Sequence, residues 1–182
     1  MIRVFFLIIT LISSPAGAMD WSVRDGESKL GFLAVQAGTE FEGAFNIFTS
    51  DIKFDPTDLA VAKVKITIDI ASVDTHDAIR DSNIVSSDWF DTKTHPTAIF
   101  ETFEIKPDGK GGYIAMANLT MRGVTKQVSM PFTVQIDGAA SHAKGELRVK
   151  RNDYGIGQGQ WVATTMVADD VRIFFDLRSD AK

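Results

Sequence analysis

Hydrophobic and polar residues alternate through most of the chain after residue 20, which is the pattern of half-buried β-strands. In residues 63–70, Val64, Ile66 and Ile68 share one face, while lysine, threonine and aspartate occupy the other. Runs of the same kind occupy residues 30–34, 41–54, 113–121, 128–136, 143–149 and 171–177. Because turn sequences rich in Asp, Pro and Gly separate the runs, the pattern predicts eight or nine antiparallel strands.

One stretch, residues 76–87, does not alternate. Its apolar residues are Ala78, Ile79, Ile84 and Val85. This spacing predicts one or two helical turns, with Asp74 or Thr75 as the N-cap. We therefore expect a short helical insert between two strands.

An antiparallel sheet of this size has to protect its edges, and closure into a barrel does so most simply. We therefore predict an all-β fold, an eight-stranded antiparallel barrel with a short helical insert. Small residues such as Ala34, Ala98 and Ala143 share the inward rows with large ones. They are compatible with a ligand cavity and equally with tight packing against aromatic rings. Pro131 lies on the polar face of its run, which predicts an edge or a bulge there.

The first eighteen residues have the pattern of an export signal. Arg3 precedes a nine-residue apolar segment, Val4–Ile12, and Ala16-Gly17-Ala18 forms a cleavage site for signal peptidase. Nine residues are too few to span a bilayer, which needs about 20, although a short N-terminal anchor is the alternative. We expect cleavage after Ala18, a single mature domain over residues 19–182, and a periplasmic location.

Composition removes several classes of function. The net charge is −5 and the chain contains no cysteine. An acidic chain without a basic run is poorly suited to nucleic acid, which is bound mainly through its phosphates. The lack of cysteine excludes thiol nucleophiles, disulfides and thiolate metal sites. Since no hydrolase elbow, metalloprotease motif or P-loop is present either, we expect a protein that is not an enzyme and that has no cofactor.

Three motifs together resemble the YceI family. The first is residues 64–75, followed by Arg80-Asp81 and Trp89-Phe90-Asp91; the others are residues 119–126 and 151–156. The resemblance extends over roughly residues 20–178. It implies a lipocalin-like barrel that holds a long isoprenoid chain, such as a polyprenyl pyrophosphate or a quinone, in an apolar tunnel. Dimers are common in the family, and some relatives are associated with fatty amides instead.

The sequence departs from the family pattern after Arg80-Asp81. Relatives often carry His and Leu there, whereas this chain has Ser82-Asn83-Ile84. A polar role for that histidine therefore does not carry over to this chain.

Strand alternation then provides candidates for the tunnel wall. The seven inward residues that we assign to it are Phe32, Ile66, Ile68, Phe100, Phe132, Val134 and Phe175. This assignment depends on register, since a slip of one residue moves a whole row to the other face. Trp89 and Phe90 are candidates for the same wall, or else core residues that attach the insert to the sheet.

Polar candidates for a ligand head group at the barrel mouth are Arg80, Asp81 and Arg122, with Lys126 beside them. Arginine suits bidentate contacts to phosphate. The structural alternative is an Arg80–Asp81 pair that fixes the insert to the barrel, with Arg122 and Gly123 forming a turn between two strands and Lys126 in solvent.

Asp74, His76, Asp77 and Asp81 have the chemistry of metal ligands. Their spacing fits no defined metal loop, and helix capping explains Asp74 and Asp77. We therefore expect no metal site.

These observations predict binding and sequestration, or transport, of a long apolar lipid in the periplasm. Burial of each methylene group contributes roughly 0.8 kcal/mol, so an apolar tail needs no specific polar chemistry to be held. The alternative is a protein whose output is a contact with a stress-response or membrane redox partner, in which bound lipid is structural.

Overall fold

The computed structural model describes residues 19–182, and the predicted export signal lies outside these residues. The strands are β1 (Met19–Val23), β2 (Lys29–Gln36), β3 (Thr39–Phe45), β4 (Phe48–Phe54), β5 (Lys63–Asp69), β6 (Val73–Asp74), β7 (Thr97–Pro107), β8 (Tyr113–Met121), β9 (Val124–Asp137), β10 (Ala140–Lys150) and β11 (Asp170–Ala181). The α-helix α1 covers Ala78–Ile84, and short 3₁₀ turns cover Leu59–Val61, Ile70–Ser72, Arg151–Tyr154 and Gly159–Val162. Within residues 19–182, no helix has the length and apolar character needed to cross a bilayer.

These eleven segments build a closed barrel of eight strands, as predicted. Three barrel strands are interrupted, and each consists of two consecutive segments: β1 with β2, β3 with β4, and β5 with β6. The assignment follows from the pairing, because β11 pairs with both β1 and β2. In the same way β4 pairs with β1 and β5, while β3 pairs with β2 and β6. Each barrel strand is antiparallel to the next along the chain, and β11 closes the ring onto the first.

This up-and-down order sorts the connections between the two ends of the barrel. One end, here called the helix end, carries the connections at residues 37–38, 75–96, 122–123 and 151–169. The other end, here called the terminus end, carries residues 55–62, 108–112 and 138–139, together with Met19 and Lys182. The two long connections, including α1, therefore both lie at the helix end.

The predicted helical insert is confirmed as α1, but its predicted cap is wrong. The N-cap is Asp77, whose Oδ1 accepts hydrogen bonds from the backbone N–H groups of Ile79 at 3.0 Å and Arg80 at 3.1 Å. These bonds satisfy two of the donors that a helix leaves free at its start.

Asp74 and Thr75 stabilise the turn before α1 instead. The Oδ1 atom of Asp74 accepts a hydrogen bond from the backbone N–H of His76 at 2.8 Å. His76 has a left-handed φ of 59°, which turns the chain before the helix begins. Thr75 donates its N–H and its hydroxyl to Oδ1 of Asp81 at 2.9 and 2.6 Å. The helix therefore starts later than the sequence pattern suggested.

The interruption predicted at Pro131 is confirmed. β9 pairs with β10 through Phe132–Asp137 and Ala140–Gly145, so Pro131 lies just outside that ladder and pairs only with Ile114 of β8, on the other side. Proline has no N–H to donate, and it is tolerated where a ladder stops.

Candidate ligand cavity

The barrel encloses a cavity of about 270 Å³. Its wall is built from the inward rows of all eight barrel strands and is almost entirely hydrocarbon and aromatic. Val134, Ala143, Ile173 and Phe175 line it and are only partly buried, as expected for side chains that face empty space. The inward rows that contain the small residues thus border a void. Of the two interpretations that the sequence left open, a cavity and tight packing against aromatic rings, the structure favours the cavity.

The structure places all nine predicted wall residues on the cavity. They are Phe32, Ile66, Ile68, Trp89, Phe90, Phe100, Phe132, Val134 and Phe175. The strand rows meet because their registers match: Ile66 lies opposite Phe100, and Ile68 lies opposite Ala98. Trp89 and Phe90, for which the sequence left two possibilities, also lie on the wall. That these side chains contact a ligand stays a prediction.

Glycine makes room for the aromatic part of the wall. Gly145 pairs with Phe132 on one side and with Phe175 on the other. A β-carbon at Gly145 would lie 2.6 Å from the Phe175 ring and 2.9 Å from Cβ of Phe132. Both distances are shorter than van der Waals contact, so the two rings can occupy the wall together only beside a glycine.

The cavity opens at the helix end, beside α1. Of the lining residues that the structure describes, only Asp77 and Ile79 are exposed, and Ile79 is 76% exposed. Gln36 and Phe41, from β2 and β3, complete this part of the wall. A ligand would therefore enter between α1 and the β2–β3 hairpin.

Arg80 spans the two sides of this mouth. Its guanidinium lies 3.9 Å from the centre of the Phe41 ring, and its Nε donates a hydrogen bond to Oε1 of Gln36 at 3.0 Å. Nη2 lies 3.5 Å from Oδ2 of Asp77. The cation therefore sits on the wall of the mouth while its surroundings partly compensate its charge.

The structural alternative for Arg80, an ion pair with Asp81, names the wrong partner. Arg80 pairs with Asp77, while the Asp81 carboxylate is held by Thr75. The reason is helical geometry, since side chains at adjacent positions of a helix do not face each other. Among residues 19–182, Asp81 is not one of those that line the cavity. Its contact with a head group gains no support from this position and stays a prediction.

Arg122 holds the helix end together rather than facing the cavity. Arg122 and Gly123 have φ values of 47° and 74°, which form the tight turn between β8 and β9. Nη1 of Arg122 donates to the carbonyl oxygen of Trp89 at 2.5 Å. The turn interpretation is therefore confirmed. Within the described chain Arg122 does not line the cavity, and its contact with a head group stays a prediction. Lys126 lies 3.7 Å from Asp153 at the surface.

The acidic side chains at the start of α1 take part in the hydrogen bonding of the insert itself. Asp74, Asp77 and Asp81 each accept hydrogen bonds from nearby residues of the insert. Within residues 19–182, no group of three or more His, Asp or Glu side chains is arranged to hold a metal ion.

A buried arginine that the sequence did not single out organises the cover of the helix end. Arg151 is 2% exposed and lines the cavity. Its guanidinium donates hydrogen bonds of 2.6–3.4 Å to backbone carbonyls of residues 156, 161, 163, 167 and 168, and one to the side chain of Asn152. Burial lowers the pKa of this guanidinium, while the charge of nearby Asp169 opposes that shift. One side chain thus ties the whole 151–169 connection together.

A glycine in this connection leaves the space that the Arg151 guanidinium occupies. A β-carbon at Gly157, where φ is 88°, would lie 2.1 Å from Nη1 of Arg151. The Gly155–Gly159 stretch therefore lets the backbone wrap around a buried cation. The sequence signal that could have revealed it is an arginine four residues before the first of three alternating glycines.

Two tryptophans close the wall beneath this connection. The Trp89 and Trp161 rings lie 5.5 Å apart, and the Arg151 guanidinium lies 5.3 Å from the centre of the Trp89 ring. The indole N–H of Trp89 is buried without a hydrogen-bond partner among the residues that the structure describes. Both rings line the cavity. They therefore form part of its wall at the helix end, beneath the 151–169 connection.

Known proteins share this architecture. The family model described as the YceI-like domain matches residues 21–179. A UPF0312 protein of Pseudomonas aeruginosa is 38% identical over 120 residues, which are 63% of this chain and 62% of that protein. The match thus spans somewhat less than two thirds of that relative's length.

Solved structures superpose on the barrel. The crystal structure of Burkholderia cenocepacia BcnA has a TM-score of 0.83 and 37% identity, covering 86% of this chain and 99% of that one. A polyisoprenoid binding domain from Saccharophagus degradans, implicated in plant cell wall breakdown, has a TM-score of 0.69 and 16% identity, covering 90% and 99%. The barrel, its helical insert and the match along nearly all of the described chain place this protein in the YceI-like domain family.

Proposed function

We propose that this protein binds a long apolar chain, an isoprenoid lipid or an isoprenoid quinone, in the barrel cavity and sequesters or carries it in the periplasm. The observation that carries the proposal is the polarity of the cavity. Its wall along the barrel is mainly apolar, with Thr102, Ser141 and Ser179 as the polar exceptions among the described strand residues away from the helix end. Gln36, Asp77, Arg80 and Asn83 provide polar and charged groups at the helix end. That distribution suits an amphipathic ligand whose tail lies in the barrel and whose head lies at the mouth.

Relatives support an isoprenoid as the ligand class. The Saccharophagus degradans domain, which shares the fold, is described as a polyisoprenoid binding domain. The physics of an apolar tail agrees, since each buried methylene contributes roughly 0.8 kcal/mol. A tail of a few dozen carbons therefore offsets the cost of ordering its own bonds.

The wall favours binding over catalysis. General acid–base chemistry needs a titratable group at the reacting atoms. The charged residues of the described wall are Asp77, Arg80 and Arg151. Asp77 caps α1 and Arg151 is committed to backbone carbonyls, so we propose a binding protein that is not an enzyme.

Tryptophan fluorescence tests the proposal, because Trp89 and Trp161 line the cavity and quinones quench indole emission. Delipidated protein titrated with an isoprenoid quinone should show saturable quenching at a one-to-one ratio. A tailless quinone with the same ring is the matched control and should not saturate in that range. If quinone and polyprenyl alcohol both fail to give a saturable change, the proposal is wrong.

The Arg80→Met variant tests the orientation of the ligand. It keeps the apolar stem of the side chain but removes the cation that contacts Phe41 and Gln36. We expect affinity for an isoprenoid quinone to fall about tenfold, and affinity for squalene, an isoprenoid chain without a head group, to change little. Arg178→Met, at an exposed position, is the control. Equal losses for both ligands would contradict a head group at the mouth.

A second candidate function is contact with a protein partner through the helix end. Ile79, Val162 and Met166 belong to the connections at that end and are 76%, 54% and 56% exposed. Exposed apolar groups of this kind mark interaction sites. If a stress-response or redox partner binds there, Ile79→Ser with Met166→Ser should abolish partner binding, and delipidation should not. Loss of binding on delipidation alone would favour the carrier.

A further inference from the structure

The terminus end of the barrel is closed by a cluster of four aromatic side chains, here called the aromatic floor: Trp21, Phe54, Tyr113 and Phe132. The Phe54 ring lies 5.2 Å from the Tyr113 ring and 6.1 Å from the Phe132 ring, measured between centres. The Tyr113 and Phe132 rings are stacked at 5.4 Å. Edge-to-face and stacked contacts of this length are the favourable geometries for aromatic pairs.

The strands hold these rings in place. Tyr113 of β8 lies directly opposite Phe132 of β9. The indole N–H of Trp21 donates to the carbonyl oxygen of Phe54 at 3.0 Å, and the two residues are 2% and 4% exposed. The floor is therefore fixed by backbone register and by a buried hydrogen bond.

The floor borders the terminus-end part of the cavity, which Val134, Ser141 and Ser179 also line. Trp21, Phe54 and Phe132 line the cavity, while Tyr113 packs behind them. The mouth, with the exposed side chain of Ile79, lies at the opposite end of the barrel. A chain that enters at the helix end thus points its tail toward Phe54 and Phe132.

We propose that the aromatic floor sets the length of the apolar chain that the protein accepts. The inference rests on the proposed function, that a long apolar tail occupies the cavity. Each methylene buried above the floor raises affinity about fourfold. Once the tail reaches Phe54 and Phe132, further methylenes stay in water at the mouth and add nothing. The retained ligands therefore have a maximum useful length, which the floor determines.

This length limit can be measured in one experiment with a mixture of isoprenoid alcohols of different chain lengths. Delipidated protein is incubated with vesicles that carry equal amounts of isoprenoid alcohols from three to ten isoprene units, then re-isolated, and its bound alcohols are quantified by mass spectrometry. The alcohols leave a bilayer that already shields their chains from water, so for the wild type we expect the bound fraction to be similar up to a limiting length. Beyond that length it should fall, because the excess methylenes move from the bilayer into water at the mouth. In Phe54→Ala and Phe132→Ala, the limit should move to longer chains by at least one isoprene unit.

Controls separate this role from ordinary packing. Phe103→Ala removes a phenylalanine that is 52% exposed and should leave the length profile unchanged. If an alanine variant fails to fold, Phe54→Leu and Phe132→Leu remove less volume and should move the limit in the same direction. An unchanged profile in folded floor variants would overturn the floor's role and leave the proposed function standing. If the wild type retains none of the alcohols, both proposals fall.

Discussion

The Ile68→Lys variant is expected to lose at least about a hundredfold in affinity for an isoprenoid ligand while keeping a β-rich circular dichroism spectrum. Ile68, in β5, is 8% exposed and lies on the cavity wall. It lies opposite Phe48 of β4 on one side and opposite Ala98 of β7 on the other. An ammonium group there would face hydrocarbon with no carboxylate beside it. It has to be desolvated, or lose its proton, before a tail can lie against it.

A matched control lies one residue away. Thr67 is on the opposite face of the same strand, so Thr67→Lys adds the same charge outside the barrel. We expect it to retain lipid like the wild type. If Ile68→Lys does not fold, Ile68→Thr places a hydroxyl on the wall without adding a charge and should still weaken binding. Wild-type retention by a folded Ile68→Lys protein would contradict the assignment of the cavity as the binding site.

The Arg151→Met variant is expected to lower the free energy of unfolding by about 3 kcal/mol. Methionine retains the apolar stem of arginine but has no hydrogen-bond donor. The buried backbone carbonyls of the 151–169 connection therefore lose their hydrogen-bond partner. Arg151→Lys should be almost as damaging, because one ammonium group cannot reach acceptors spread around a planar guanidinium. Urea unfolding measures the effect.

The control for this prediction is Arg148→Met, at an exposed position of β10, the strand that ends immediately before Arg151. Its stability should lie within about 0.5 kcal/mol of the wild type. If Arg151→Lys proves as stable as Arg148→Met, the hydrogen bonds of Arg151 do not hold the cover of the helix end.

The barrel and most of its wall were predictable from the sequence because both depend on a period of two. Ile66, Phe100 and Val134 lie on the cavity for the same reason that their neighbours face outward. The interruptions in three barrel strands did not alter which predicted residues face inward, since segments such as β5 and β6 belong to the same barrel strand. The alternation could not tell whether alanines on the inward rows border a void or a ring, because that depends on contacts between different strands.

The two ends of the barrel were harder to predict, since they are built from distant residues without a period. Trp21 and Phe54 are 33 residues apart and meet through an indole hydrogen bond. The acceptors of Arg151 are backbone carbonyls, which any residue type can supply. The positions of the head-group candidates were hard to predict for a related reason. Asp81 and Arg122 form hydrogen bonds with Thr75 and Trp89 and do not line the described cavity, and residue type alone does not reveal such partners.

The most direct test of the central claim is the identity of what the protein carries. The protein, purified without detergent from the cells that naturally produce it, is extracted into organic solvent and the extract is analysed by mass spectrometry. We predict one class of molecule with an isoprenoid chain, close to one per protein, and its loss from the Ile68→Lys variant. An extract that is empty, or that holds a trace mixture of ordinary membrane lipids equally in wild type and variant, would contradict the account.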